Sequence, residues 1–425
     1  MSQRKGWTSG LVGWIHPAVV PPALLAVAAG YAQFVATASL ADVATGFGIS
    51  SSEGDQLRLT GTTLGVGLAV IRLGSLAALP LASRADRAGR RMLILICTVL
   101  GLSLTAVAAV APAFWVFVAI LALARPLLSA ANAVAVVISA EVTRSAERSK
   151  AVALVGAAYA VGAGLTVLLR AVLGDSLGFR PLFALALVPM VIILLYARRL
   201  TEPDLFRNLP AQSLPSARFL LSPVPRAWRG RLGLICLLTG AAALVTGPAN
   251  TFVFFFAETV QDLDPSVMAQ AVLAAGPLGL AGLIAGRWTA DHLGRRVSAA
   301  VSLTAVAAAA VVTYTTGPAG VVAGYLGAMF AASVYTPASG ALGTELFPTA
   351  MRSTAAGWIT ASGVIGAVAG LALFGYLADT AGSYGRASIL IAIPVMLLSV
   401  LYARLPETRG KELDSEDLPM GPIQL

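Results

Sequence analysis

Apolar runs long enough to form a membrane-crossing helix recur along this chain, each followed by a short polar segment. They lie near residues 18–44, 57–81, 92–111, 113–139, 151–173, 179–197, 231–257, 267–288, 297–316, 318–343, 354–378 and 384–403. About twenty residues of helix cross the hydrocarbon core of a bilayer, so the pattern predicts about twelve transmembrane helices. Inside lipid no water is available to the backbone, and a helix satisfies its N–H and C=O groups within its own segment. The predicted fold class is therefore an all-α integral membrane protein. The longest polar stretch, residues 199–229, carries Pro203, Pro210, Pro215, Pro223 and Pro225 and reads as a linker. The chain thus divides into an N-terminal six-helix bundle (1–198), a cytoplasmic linker (199–229), a C-terminal six-helix bundle (230–404) and a cytoplasmic tail (405–425).

An internal repeat supports that division. Asp86-Arg87-Ala88-Gly89-Arg90-Arg91 returns as Asp291-His292-Leu293-Gly294-Arg295-Arg296, an offset of 291 − 86 = 205. Glu141 with Arg148 returns as Glu345 with Arg352, each 204 residues on. Thr201-Glu202-Pro203 is answered by Pro406-Glu407-Thr408, where 407 − 202 = 205. Two parallel six-helix halves related about the membrane normal are a transporter plan, with the solute site at their interface near the midplane.

Composition removes the soluble classes. Only 12% of the residues are charged and 57% are hydrophobic, against about a quarter charged in a typical soluble domain. A water-soluble enzyme surface cannot be made from so little charge. All but six of the 29 basic residues fall on one face if the N-terminus is cytoplasmic, the six being Arg58, Arg72, Arg125, Arg170, Arg180 and Arg386. Basic residues accumulate in the loops that stay inside, so both termini are expected in the cytoplasm of a multi-pass cell-membrane protein. The net charge of +9 is accounted for by those loops and by anionic lipid headgroups, with no nucleic acid partner. Cys97 and Cys236 stand in apolar runs without disulfide or zinc spacing. No metal, cofactor or covalent chemistry is expected, and the chain is read as no enzyme. The stretch after Arg4 and Lys5 is read as a retained first helix rather than a signal peptide.

The loop Asp86-Arg87-Ala88-Gly89-Arg90-Arg91, placed between the second and third spans and repeated between the eighth and ninth, resembles the signature of the major facilitator superfamily. Thr344-Glu345-Leu346-Phe347-Pro348-Thr349-Ala350-Met351-Arg352 and the tail Pro406-Glu407-Thr408-Arg409-Gly410-Lys411 look like its sugar porter branch and the organic-ion, metabolite:proton symporter relatives. Two departures stand out: the glycine usual four residues before the loop aspartate is Ala82, and in the second copy Arg287. Physically, a tight turn needs residues tolerant of positive φ, which Gly89 and Gly294 supply. Asp86 and Asp291 can accept hydrogen bonds from neighbouring arginines or from a helix N-terminus, forming a latch that breaks when the halves rock. Asp86, Arg87, Gly89, Arg90, Arg91, Asp291, Gly294, Arg295, Arg296, Glu141, Arg148, Glu345 and Arg352 are the gating candidates; a basic turn obeying topology alone is the bland alternative.

Solute chemistry has to lie among polar residues at membrane depth. Every Asp and Glu maps to a loop, a helix end or the tail, the nearest exceptions being Asp42, Glu258 and Asp379 toward the outer ends of spans one, seven and eleven. Arg72 and Arg125 fall near the centres of the second and fourth spans, and a guanidinium cannot shed its proton there. Arg125 can be satisfied by carbonyls, by water or by an anionic solute. Against the sugar porter pattern, which often reads Gly-Tyr-Asp in the first helix, this chain has Gly30-Tyr31-Ala32-Gln33; the seventh reads Thr246-Gly247-Pro248-Ala249-Asn250-Thr251 in place of paired glutamines. Further cavity candidates by depth are Tyr31, Gln33, Asn132, Tyr159, Asn250, Tyr335 and Thr336, each of which could equally bridge two helices. The run Phe252 to Phe256 reads as packing, and Gly61 with Gly65 as a close helix contact. The resulting expectation is a monomeric secondary transporter that moves a small organic solute by alternating access, an organic anion slightly favoured, with a co-transported proton as a possible partner. A drug or metabolite exporter with a greasy cavity, a sugar or polyol porter, and a non-transporting receptor remain open.

Overall fold

The apolar runs do become helices. The computed structural model describes residues 19–50, 56–57, 59–82, 89–142, 148–173, 178–196 and 224–409. In chain order these form α1 Val20–Ala38, α2 Leu40–Gly46, β1 Ile49–Ser50, β2 Gln56–Leu57, α3 Gly61–Leu73, α4 Arg90–Val107, α5 Phe114–Glu141, α6 Arg148–Leu173, α7 Arg180–Ala184 and α8 Leu187–Tyr196. There follow α9 Arg226–Thr259, α10 Pro265–His292, α11 Arg295–Thr315, α12 Gly317–Glu345, α13 Thr349–Thr380 and α14 Tyr384–Ser399. Among the described residues eleven helices are long and apolar enough to cross a membrane, and the shorter apolar stretch Arg180–Leu195 fills the sixth predicted place. The strands form a two-residue antiparallel ladder, Ile49 opposite Leu57. Starts follow local chemistry: Asp264 caps α10 by accepting the Ser266 N–H at 2.8 Å, and those bonds to Ser266 hold its carboxyl below the ordinary carboxylate range. Most of the linker lies outside the described residues, and α9 already begins at Arg226, inside the stretch read as linker.

The helices pack into two compact units, Met1–Ser39 with Gly74–Ala217, and Leu40–Leu73 with Arg218–Leu425. This division is by packing, whereas the sequence repeat divides the chain by register, and the two part company over residues 40–73.

In the first unit α1 lies along α6 and α5, and α4 lies along α5. The α1–α6 crossing is set by two glycines. A Cβ on Gly30 would collide with the Tyr159 carbonyl oxygen, and one on Gly162 with that of Val27. With no hydrophobic drive between helices in lipid, such backbone approach is how they gain dispersion contact. Leu102, Leu128 and Ile138 fill the core around it, and Phe117 meets Phe179 and Phe183 edge to face.

The second unit repeats the device. A Cβ on Gly366 would strike the Gly240 carbonyl oxygen, and one on Gly370 that of Leu244, so α13 rides on α9. Gly162 and Gly366 stand 366 − 162 = 204 residues apart, the offset of the polar repeats. Gly282 and Gly286 seat α10 on α12 against Phe330 and Val334. Phe252, Phe254, Phe255 and Phe256 are buried and meet Phe374, Tyr325, Tyr384 and Tyr314 in tilted or edge-to-face pairs, which makes the phenylalanine run packing, as expected. Gly61 and Gly65 of α3 lie against Gly375 and Leu371 of α13, the close contact read from the sequence.

Candidate functional site

Arg125 is placed by a proline inside α5 and by a turn of the first unit that fits against it. Pro126 has no N–H and leaves the carbonyl of Ala122 without its helical donor. Gly74 approaches that carbonyl so closely that a Cβ would lie 2.5 Å from it, and the 3₁₀ turn Gly74–Ala77 follows. The turn carries Ser75 to Arg125, whose Nε donates to the Ser75 hydroxyl at 3.3 Å. Arg125 Nη1 donates to the Gln33 carbonyl of α1 at 3.0 Å, and the Ser129 hydroxyl donates to Gln33 Oε1 at 3.2 Å. Arg125, Ser129 and Asn132 stand at i, i+4 and i+7, one face of α5. Asn132 Oδ1 is buried without a hydrogen-bond partner among the described residues. A half-buried cation, two hydroxyls and the Gln33 carboxamide thus gather in one place, with the Asn132 carboxamide further along the same face of α5. This group can orient a polar solute through a charge and several neutral donors and acceptors.

The other candidates scatter. Tyr31 is buried and its hydroxyl donates to the Leu182 carbonyl at 2.6 Å. Tyr159 and Asn250 are half-buried, and Arg72 is exposed. In the second unit the Tyr335 and Tyr402 hydroxyls meet at 2.6 Å, and the exposed Thr336 bonds its own helix at Ala332. Ser75 and Ser129 were missing from the sequence reading; the i, i+4, i+7 spacing with Arg125 and Asn132 was the available signal for Ser129.

The repeated loop is described in its second copy. Asp86 and Arg87 lie outside the described residues, as do the side chains of Glu141, Arg148 and Arg352. Gly89 and Gly294 have φ of 98° and 100°, the positive-φ turns expected of them; Arg90 is buried and Arg91 exposed. Asp291 accepts from Arg295 Nη1 at 2.6 Å and lies 3.8 Å from Arg287 Nε. It therefore pairs with arginines, and the N-terminus of α11 is taken by a different acid. Glu407 accepts from the Arg295 N–H at 2.8 Å and from the Arg296 N–H at 3.4 Å. Glu345 faces Arg295 Nε at 3.5 Å and accepts the Thr408 hydroxyl. Arg409 closes the network on the His292 carbonyl at 2.6 Å, and Arg296 reaches the Ala403 and Leu405 carbonyls. The loop, the end of α12 and the segment after α14 are thereby tied into one polar clamp. Glu407 went unassigned in the sequence reading, although its recurrence as Glu202 marked it.

Comparison with known proteins agrees with this architecture. The Major Facilitator Superfamily model matches residues 23–330 and 271–423. No curated protein matches the chain. Among solved structures, the xylose transporter XylE from E. coli in an inward-open conformation superposes with a TM-score of 0.74 at 18% identity, covering 95% of this chain and 99% of that one. A bacterial homolog of the human lysosomal transporter Spinster, inward-facing and unoccupied, gives 0.70 at 14% identity over 92% and 95%. The nucleoside transporter NupG (D323A mutant) gives 0.70 at 12% identity over 90% and 99%. These likenesses show the fold, and the sequence match over nearly the whole length shows more: the chain belongs to the Major Facilitator Superfamily.

Proposed function

We propose that the protein is a secondary active transporter that moves a small organic anion, most simply a carboxylate, across the cell membrane by alternating access, together with a proton. The observation that carries this reading is the Arg125 group, in which a guanidinium is held at membrane depth by a carbonyl and a hydroxyl beside Gln33 and Ser129. A carboxylate can take the two-pronged geometry of a guanidinium, and its charge offsets the cost of keeping that cation out of water. Ala32 stands where a proton-carrying aspartate is usual among sugar porters; a proton bound to the anion itself needs no such residue. The solved xylose and nucleoside transporters of the same fold make a neutral solute the competing reading, with Gln33 and Asn132 as its hydrogen-bonding groups.

Uptake into proteoliposomes across a panel of carboxylates, sugars and cations decides between them. Arg125→Lys keeps the charge and loses the fork, and is expected to weaken binding of the accepted anion about tenfold, or about 1.4 kcal/mol. Arg125→Gln is expected to weaken it further, and the anion should raise the melting temperature only when the guanidinium is present. Normal transport by Arg125→Gln, or a neutral or cationic solute, would overturn the reading. Binding without flux would make the protein a receptor.

Both termini are read as cytoplasmic from the sorting of basic residues. Single cysteines placed in 405–425 should resist an impermeant thiol reagent added outside intact cells; labelling there would reverse the orientation.

A further inference from the structure

Asp379, at the C-terminal end of α13, serves a helix 318 residues away in sequence. The first N–H groups of any helix lack partners within it. At the start of α3 each is accounted for. The Thr63 N–H goes to the Thr60 hydroxyl at 3.2 Å and the Leu64 N–H to the Thr60 carbonyl at 3.0 Å. The two others go to Asp379: Gly61 N–H to Oδ1 at 2.9 Å and Thr62 N–H to Oδ2 at 2.7 Å. The Thr62 hydroxyl adds a third bond to Oδ2 at 2.6 Å. A carboxylate at the positive end of a helix dipole is the favourable sign of charge. It can come this near because residue 61 is glycine; a Cβ there would stand 2.8 Å from Oδ1.

Beside these bonds α3 meets α13 through close glycine-to-backbone contacts, Gly65 on Leu371 and Gly375 on Gly61. Close packing of that kind has shape but no directional bond. Asp379 is exposed and Thr62 half-exposed, and the N–H of Gly61, buried in the contact, meets water once α3 leaves α13, so water can replace these hydrogen bonds when they break. The contact is specific when made and inexpensive to release.

We propose that Asp379 is a releasable latch that holds α3 against α13 in one conformation and lets go in the other. This rests on the alternating-access reading, in which helices of the two sequence halves part and rejoin, α3 belonging to the first by register and α13 to the second.

The test reads the latch without any solute. In the full-length purified protein with Cys97→Ala and Cys236→Ala, the fully buried Leu64 of α3 is replaced by cysteine and its thiol labelling rate is followed. Asp379→Asn, which keeps the size and removes the charge, is expected to raise the rate several-fold, and Thr62→Ala, which removes one of the three bonds, by less. The melting temperature should stay close to that of the parent. Unchanged labelling in both variants would overturn the proposal, as would an Asp379→Asn protein that does not fold, because the contact would then be a permanent structural cap. Faster labelling in a protein that transports nothing across the whole panel would uphold the latch and sink the transport reading; anion transport with unchanged labelling would do the reverse.

Discussion

Gly162→Leu is expected to leave little folded protein, whereas Gly156→Leu, six residues earlier on the same helix, should be tolerated. The difference lies in what a side chain meets. Nothing lies within 4 Å of a Cβ at Gly156, whereas at Gly162 the Cβ would drive into the Val27 carbonyl and, at 2.9 Å, the Tyr31 N–H. Backbone of a helix cannot step aside as a side-chain end can, so α1 and α6 would have to separate along the crossing. Overpacking a well-fitted contact costs about 1–3 kcal/mol and more when backbone must move. The loss should reach about 3 kcal/mol here, because the separation also undoes the contacts beside it and puts strain on the buried Tyr31–Leu182 bond. Gly366→Leu should act alike on α9 and α13. Monodisperse yield and melting temperature in detergent check both, and a Gly162→Leu protein that melts with the parent would refute the argument.

Glu407→Ala is expected to destabilise the second unit by about 2 kcal/mol, the upper range for removing a helix cap together with the bonds it organises. The alanine leaves the Arg295 and Arg296 N–H groups without their acceptor and removes one of the ties between the loop and the segment after α14, those of Arg296 and Arg409 remaining. Glu407→Gln retains an acceptor and loses the charge, and should cost about half as much. By comparison Arg287→Ala touches an ion pair whose arginine is 85% exposed and should be nearly silent, since surface pairs contribute about 0–1 kcal/mol. Thermal melts of the three variants test the ranking. Equal melting of Glu407→Ala and Arg287→Ala would show that the clamp is ornamental.

The sequence carried the helices and their order because a span of lipid-facing residues leaves a long, uninterrupted record. It carried the loop glycines because a positive φ has few other solutions. It carried the Gly61 and Gly65 contact only as a suggestion, since with 42 glycines in the chain a small-residue face is common and does not say which helix it will meet. Gly162 and Gly366 were not singled out for the same reason, although their spacing repeats that of the charged loops. Asp379 reads from the sequence as an acid toward the end of a helix and Glu407 as part of the tail. Asp379 does lie at the end of α13 and Glu407 beyond the last helix, but neither position says which distant helix start the acid will meet. The serines around Arg125 were missed because a serine in a membrane helix is common, and only the break at Gly74 opposite Pro126 makes Ser75 a neighbour. Periodicity records which way a residue faces along its own helix; partners hundreds of residues away leave no period.

The glycine crossings also set a clock on the making of the protein. Val27 and Gly30 of α1 meet their partners on α6, and Gly30 stands 162 − 30 = 132 residues before Gly162. At a ribosomal rate of about 5–20 residues per second, α1 has been synthesised for roughly 7–26 s before the surface that fits its notch exists. During that interval the nascent first helix has lipid or the insertion machinery for company. Gly240 and Gly366 impose a wait of nearly the same length on the second unit, 366 − 240 = 126 residues. Each crossing can therefore close only once the fifth span of its sequence half has arrived, and a ribosome stalled before then leaves a set of inserted helices with an open seam.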